Sequence, residues 1–272
     1  MNFWIRILDI LDTQMETPQP YGWFHLLFFG LAILLSVLFA ILHHGKQKHV
    51  RFMLLFVSIL VMVLEVYKQI NYTFSVSDGT IVSDYQWYAF PFQFCSTPMY
   101  IGLLAGIFGK GKLHNCLCAY LATYAIFAGA AVLFYPTTIF IGTIGINIQS
   151  LICHGAMIFL GVYLYATGHV KLQHKTILRA LPVFSVMVVL AAVGNEIAYR
   201  VGLLATDEFN MFFISPYCEP HLPVYSLVQA AVPFPFCLVI YIIGFTAAAY
   251  VMLLLAMLTG RLCKGRKKSE LA

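Results

Sequence analysis

Seven long apolar stretches fill this chain, at 21–43, 52–71, 91–109, 113–135, 147–168, 176–200 and 224–259. Crossing a hydrocarbon core of about 30 Å takes ~20 apolar residues as a helix. The expected fold is therefore all-α, a polytopic membrane bundle of seven transmembrane helices. Charged residues make up 10% of the chain, against about 25% in a soluble domain. That deficit leaves no room for a separate soluble domain. It fits membrane lipids as partners and gives no footing for nucleic acid. The last stretch is overlong, and Pro233 and Pro235 predict a bend in its first turns, with the main span nearer 233–259. A tight Gly109-Lys110-Gly111-Lys112 turn makes the third and fourth stretches an antiparallel hairpin. Gly102 and Gly106, four apart, offer a close-packing face to a neighbour.

Charge placement gives the sidedness. Lys46, Lys48, Arg51, Lys110, Lys112, Lys171, Lys175 and Arg179 fall in alternate loops, and five more Lys and Arg fall in the tail at 261–268. Asp9, Asp12, Glu16, Asp78, Asp84, Asp207, Glu208 and Glu219 fall on the other side. Positive loops face the cytoplasm, so the N-terminus is expected outside and the C-terminus inside. The expected plan is an interfacial segment at 1–20, a single seven-helix domain at 21–260 and a basic cytoplasmic tail at 261–272. Phe3, Trp4, Ile7, Leu8 and Leu11 recur at helical spacing in the first segment. No basic n-region of a signal peptide opens the chain.

Polar side chains inside the apolar stretches gather at the outer end: His25, Glu65, Gln93, Cys95, His154, Asn195 and Glu196. Such groups are costly in hydrocarbon and mark cavities or pathways. At 1.5 Å per residue, Cys95 and His154 enter from the outside to similar depth. A thiolate nucleophile needs a base within reach and a third group to orient that base. Cys95 and His154 fit the first two roles. Glu65 or Asn195 fits the third, and Gln93 or Asn195 can donate to an oxyanion. Bland readings stand beside these. Glu65 can pair with Lys68 and Glu196 with Arg200 on their own helices. Gln93 and Asn195 can be packing glue, and His25 beside Trp23 can be an interfacial anchor. His43, His44, His49, His169 and His174 read as interfacial at the inner ends. The seven cysteines show no zinc pattern, and their disulfide state is open. No metal and no cofactor are expected. The sequon Asn71-Tyr72-Thr73 lies hard against the membrane, where no functional glycan is expected.

The loop 203–223 carries Met211, Phe212, Phe213 and Ile214 in a row between turn residues. A plain surface loop has no use for that run, so the segment is expected to cap the outer mouth.

At these residues the chain resembles the YwaF-like integral membrane proteins of bacteria. The matching pieces are Gly22-Trp23-Phe24-His25, Pro91-Phe92-Gln93-Phe94-Cys95, Cys153-His154-Gly155, and Asn195 followed by the segment 210–216. They spread from about residue 20 to residue 260. That family is distantly similar to a eukaryotic transmembrane acyltransferase that remodels ether phospholipids, and to androgen-induced membrane hydrolases of fatty acid esters. The resemblance implies Cys95 as nucleophile and His154 as its base. The threonine of the hydrolases is not at position 95.

A membrane-embedded lipid acyltransferase or hydrolase is the leading expectation. A proton-coupled permease using Glu65, His154 and Glu196 is the second, though the inner half is poor in polar groups. A seven-span sensor with an outer-facing pocket is the third.

Overall fold

The structure is a computed structural model that describes residues 3–136, 139–205, 208–219 and 222–269, with backbone only at 205, 223 and 261–269. The side chains of the basic tail and Asp207 thus lie outside the described residues.

The helices are α1 (Phe3–Leu11), α2 (Trp23–Leu42), α3 (Val50–Asn71), α4 (Thr97–Phe108), α5 (Gly111–Tyr120), α6 (Ile126–Phe134), α7 (Ile144–Ala166), α8 (Lys175–Arg200), α9 (Pro223–Ala231) and α10 (Phe234–Ser269). A π turn over Leu121–Ala125 joins α5 to α6 in one rod. An exposed hairpin of β1 (Phe74–Ser77) and β2 (Thr80–Ser83) follows α3. Among the described residues, six helices are long and apolar enough to cross a membrane: Trp23–Leu42, Val50–Asn71, Gly111–Phe134, Ile144–Ala166, Lys175–Arg200 and Phe234–Gly260. The bend expected from the prolines separates α9 from α10.

The third stretch departs from a full span. Its helix α4 has 12 residues, about 18 Å of rise. The residues before it, 90–96, are irregular. Pro91 locks its own φ and disfavours helix at Phe90, and Pro98 sits where a helix can only begin. Irregular backbone at membrane depth must find partners inside the protein. Tyr100 Oη donates to the Pro91 carbonyl at 2.9 Å, and Gln69 Nε2 donates to the Ala89 carbonyl at 2.8 Å.

Close packing sets the bundle. α2 and α6 flank α7, α4 lies on α3, and α5 lies on α8. Gly106 meets Leu55, where an added Cβ would come within 2.6 Å of the leucine side chain, and Gly102 meets Ser58. The small-residue face expected at 102 and 106 is therefore used by α3. Gly161 lets α7 close on Ile126, and Gly129 lets α6 close on the backbone of His154. A Cβ at Gly129 would stand 2.6 Å from the His154 carbonyl oxygen and 2.9 Å from Met157 Cβ. Gly129→Ala is expected to lower stability by about 1–3 kcal/mol, the range for overpacking. Thermal unfolding in detergent would measure it; an unchanged midpoint would show that α6 and α7 move apart freely.

The N-terminal helix forms as its spacing predicts, and α3 holds it. Tyr67 Oη donates to the Leu11 carbonyl at 2.7 Å, and Asn71 Nδ2 donates to the same oxygen at 3.3 Å. The asparagine of the sequon is thereby engaged inside the protein.

Candidate functional site

The seven polar residues singled out from the sequence do not share one place. His25 is buried at the start of α2, where its Nδ1 accepts the Tyr21 N–H at 3.1 Å and its Nε2 donates to the Leu133 carbonyl at 3.0 Å. Both ring nitrogens are thus spent, Nδ1 on the turn before α2 and Nε2 on tying α2 to the end of α6. Trp23 alone has the exposure of an interfacial anchor. Glu196 lies at the surface, paired with Arg200 at 2.6 Å and accepting from Tyr217 Oη at 2.5 Å. That hydrogen bond raises the Tyr217 phenol above its ordinary pKa.

Gln93 and Asn195 hold the loop that follows α8. Asn195 is fully buried, accepting the Met211 N–H at 2.8 Å and donating to the Met211 carbonyl at 3.1 Å. Gln93 donates to the Asn210 carbonyl at 3.1 Å and accepts the Phe212 N–H at 3.2 Å. Tyr241 Oη adds a bond to the Phe212 carbonyl at 2.9 Å. Between these clamps, Phe212 and Phe213 adopt φ of 59° and 56°. Bulky residues in that region cost about 1–3 kcal/mol each and persist only where the surroundings over-determine them. The segment therefore sits in the bundle as a cap, with Met211, Phe212 and Ile214 buried. The Phe212 ring stacks on Phe94 at 5.4 Å, next to Cys95.

Cys95 stands one residue before Ser96, the N-cap of α4. The irregular entry to α4 thus delivers this thiol to the positive end of a short helix, where negative charge is favoured. Cys95 and Cys153 line one crevice with Ser58, Val61, Met99 and Met157. Its volume is about 10 Å³, room for a single water at most. The Ser58 hydroxyl in its wall is buried without a hydrogen-bond partner. Met99 also lines a wider, open groove of about 340 Å³ with Met62, Glu65, Val66, Pro91 and Tyr100. Glu65 pairs with Lys68 at 2.8 Å and accepts from Gln69 Nε2 at 2.8 Å.

His154 follows Cys153 on α7 and is buried. Its Nδ1 donates to the Ser150 carbonyl at 2.7 Å, which leaves the lone pair on Nε2. Among the described residues no hydrogen bond joins Cys95 to His154. The six described cysteines, Cys95, Cys116, Cys118, Cys153, Cys218 and Cys237, are all free thiols.

A second group lies at the opposite, basic end and escapes the sequence reading. His114, Cys118 and His169 bring one ligand atom each within 4.8 Å of the others. His114 and Cys118 are one turn apart on α5, and that spacing is a signal the sequence does carry. His169 comes from the turn between α7 and α8. Burial, and then His114 beside it, lowers the His169 pKa.

Long apolar helices enclosing buried polar side chains define an integral, multi-pass membrane protein. The chain belongs to the TMEM164 family, whose model matches residues 18–256. No curated protein and no solved structure matches the chain.

Proposed function

We propose that this protein is a lipid acyltransferase or lipid hydrolase of the cell membrane. Its chain runs from an outside N-terminus through seven crossings, α4 with its irregular entry being the third, to an inside C-terminus. Membership of the TMEM164 family supports an ether-lipid substrate. The observation that carries the chemistry is the placement of Cys95 at the N-terminal end of a half-helix, one methionine side chain away from an open groove.

In this reading an acyl chain of the donor lies in the groove of Met62, Val66, Pro91 and Tyr100. Met99, flexible and unbranched, shifts to join groove and crevice. His154 Nε2 takes the proton of Cys95, and the thiolate attacks the ester carbonyl carbon. The C–O bond then breaks, His154 returns the proton to the departing lysolipid oxygen, and an acyl-thioester remains on Cys95. A second lysolipid hydroxyl, or water, attacks the thioester and releases the thiol. Ser58, with its unpartnered hydroxyl in the crevice wall, donates to the developing oxyanion. Glu65 and Lys68 supply the local field. Gln93 and Asn195 support the site by fixing the cap, and His25 by fixing α2.

A thiol-directed or fluorophosphonate lipid probe is expected to label the protein. Equal labelling of Cys95→Ala would sink the assignment.

A further inference from the structure

We propose that His114, Cys118 and His169 bind a thiophilic divalent ion, zinc being the closest chemical fit, in a site that clasps the start of α5 to the turn between α7 and α8. Two imidazoles and a thiolate are the donor types zinc selects, and three protein ligands with one open position is the pattern of its exchangeable sites. The geometry is close. The Cys118 sulfur stands 3.6 Å from His114 Nε2. A tetrahedral zinc, with bonds of about 2.05 Å to nitrogen and 2.3 Å to sulfur, separates such atoms by roughly 3.6 Å. The two Nε2 atoms are 2.7 Å apart, where the same ion needs about 3.3 Å. A modest rotation of His169, on a turn rather than in a helix, closes that difference.

The surroundings set the orientation of His114. Its Nδ1 donates to the Ala105 carbonyl at 2.8 Å, one of the last carbonyls of α4. Ligating histidines characteristically hold the other ring N–H in this way. The Nε2 lone pair is thereby free to face His169, while the Cys118 sulfur lies beside the ring, 3.6 Å from Nε2 and 3.9 Å from Nδ1, and a turn of its side chain brings it to the ion. The fourth position faces a cavity of about 390 Å³, which Cys118 and His169 line together with Lys171, Lys175 and Arg179. Those cations weaken binding of a bare dication. They favour an anion as the fourth ligand, so the open position is expected to take one. The site lies at the basic end, away from the Cys95 crevice, and does not rest on the acyl-transfer reading.

The test uses the full chain in detergent, purified without chelator or histidine tag. About one zinc per chain is expected by elemental analysis. After exchange with Co²⁺, a thiolate-to-cobalt charge-transfer band and intense tetrahedral ligand-field bands are expected, and azide should shift them. Cys118→Ser should abolish the charge-transfer band and cut zinc affinity by more than the 10–100-fold typical of losing an outer-shell partner. Cys116→Ser, two residues away, should leave both unchanged. His169→Gln, outside the helices, gives the same reading if Cys118→Ser fails to fold. A well-folded wild type that binds no Co²⁺, or a band that survives Cys118→Ser, would overturn the site. A spectrum insensitive to azide would overturn the open fourth position.

Discussion

Cys95→Ala is expected to lower lipid acyl transfer by at least about 10⁴-fold, since loss of a nucleophile removes the covalent route outright. His154→Gln is expected to cost roughly 10²–10⁴-fold, the share of a general base. The two effects should not add, because both residues serve one step. Folding should survive Cys95→Ala, since that change only trims one sulfur beside a crevice of about 10 Å³. Release of lysolipid from a diacyl phospholipid, and its re-acylation, measures both steps in proteoliposomes. Wild-type rates in Cys95→Ala would remove the cysteine from the mechanism. A drop in His154→Gln without a change in Cys95→Ala would point to the histidine acting alone.

Asn195→Leu is expected to be the largest single loss of stability around the cap. It strands the buried Met211 N–H, which costs about 1–3 kcal/mol when left unsatisfied, and leaves the Met211 carbonyl only the 3.4 Å bond from the Ile214 N–H. It also removes a clamp that holds Phe212 and Phe213 at positive φ, so the cap should spring to a relaxed conformation. The expected loss is about 1–3 kcal/mol, read as a lower unfolding temperature and as faster proteolysis within 208–219. Gln93→Leu frees the same loop from its other side. The double variant should therefore fall short of the sum, as changes sharing one partner do. Native-like protease resistance in both single variants would mean that packing of Phe212, and not the carboxamides, holds the cap.

Both predictions reflect what the sequence could and could not reveal. Six helices long and apolar enough to cross a membrane were legible because hydropathy and length are local properties. The pairs Glu65–Lys68 and Glu196–Arg200 were legible for the same reason, since three- and four-residue spacing puts partners on one helix face. The buried cap was legible in its run of apolar residues after Asn210. The short α4 was less so. Hydropathy counts 91–109 as one stretch, while Pro91 and Pro98 decide where helix can begin. The shared work of Gln93 and Asn195 was not legible, because it depends on the loop 210–212 returning between two distant helices. Depth alone drew seven residues into one cluster, although His25 turns to Leu133 and Glu196 turns to the surface. The triad of His114, Cys118 and His169 was half legible. His114 and Cys118 are four apart on one helix, but His169 stands 55 residues from His114, and only the fold brings it there.

The central claim is that Cys95 carries an acyl group. The most direct measurement is mass spectrometry of the purified protein after brief incubation with a polyunsaturated diacyl phospholipid, quenched in acid. The account predicts an acyl adduct on the peptide holding Cys95, removed by neutral hydroxylamine as a thioester is, and absent from Cys95→Ala. An unmodified Cys95 peptide in an enzyme that is turning over, or an adduct on another residue that persists in Cys95→Ala, would contradict it.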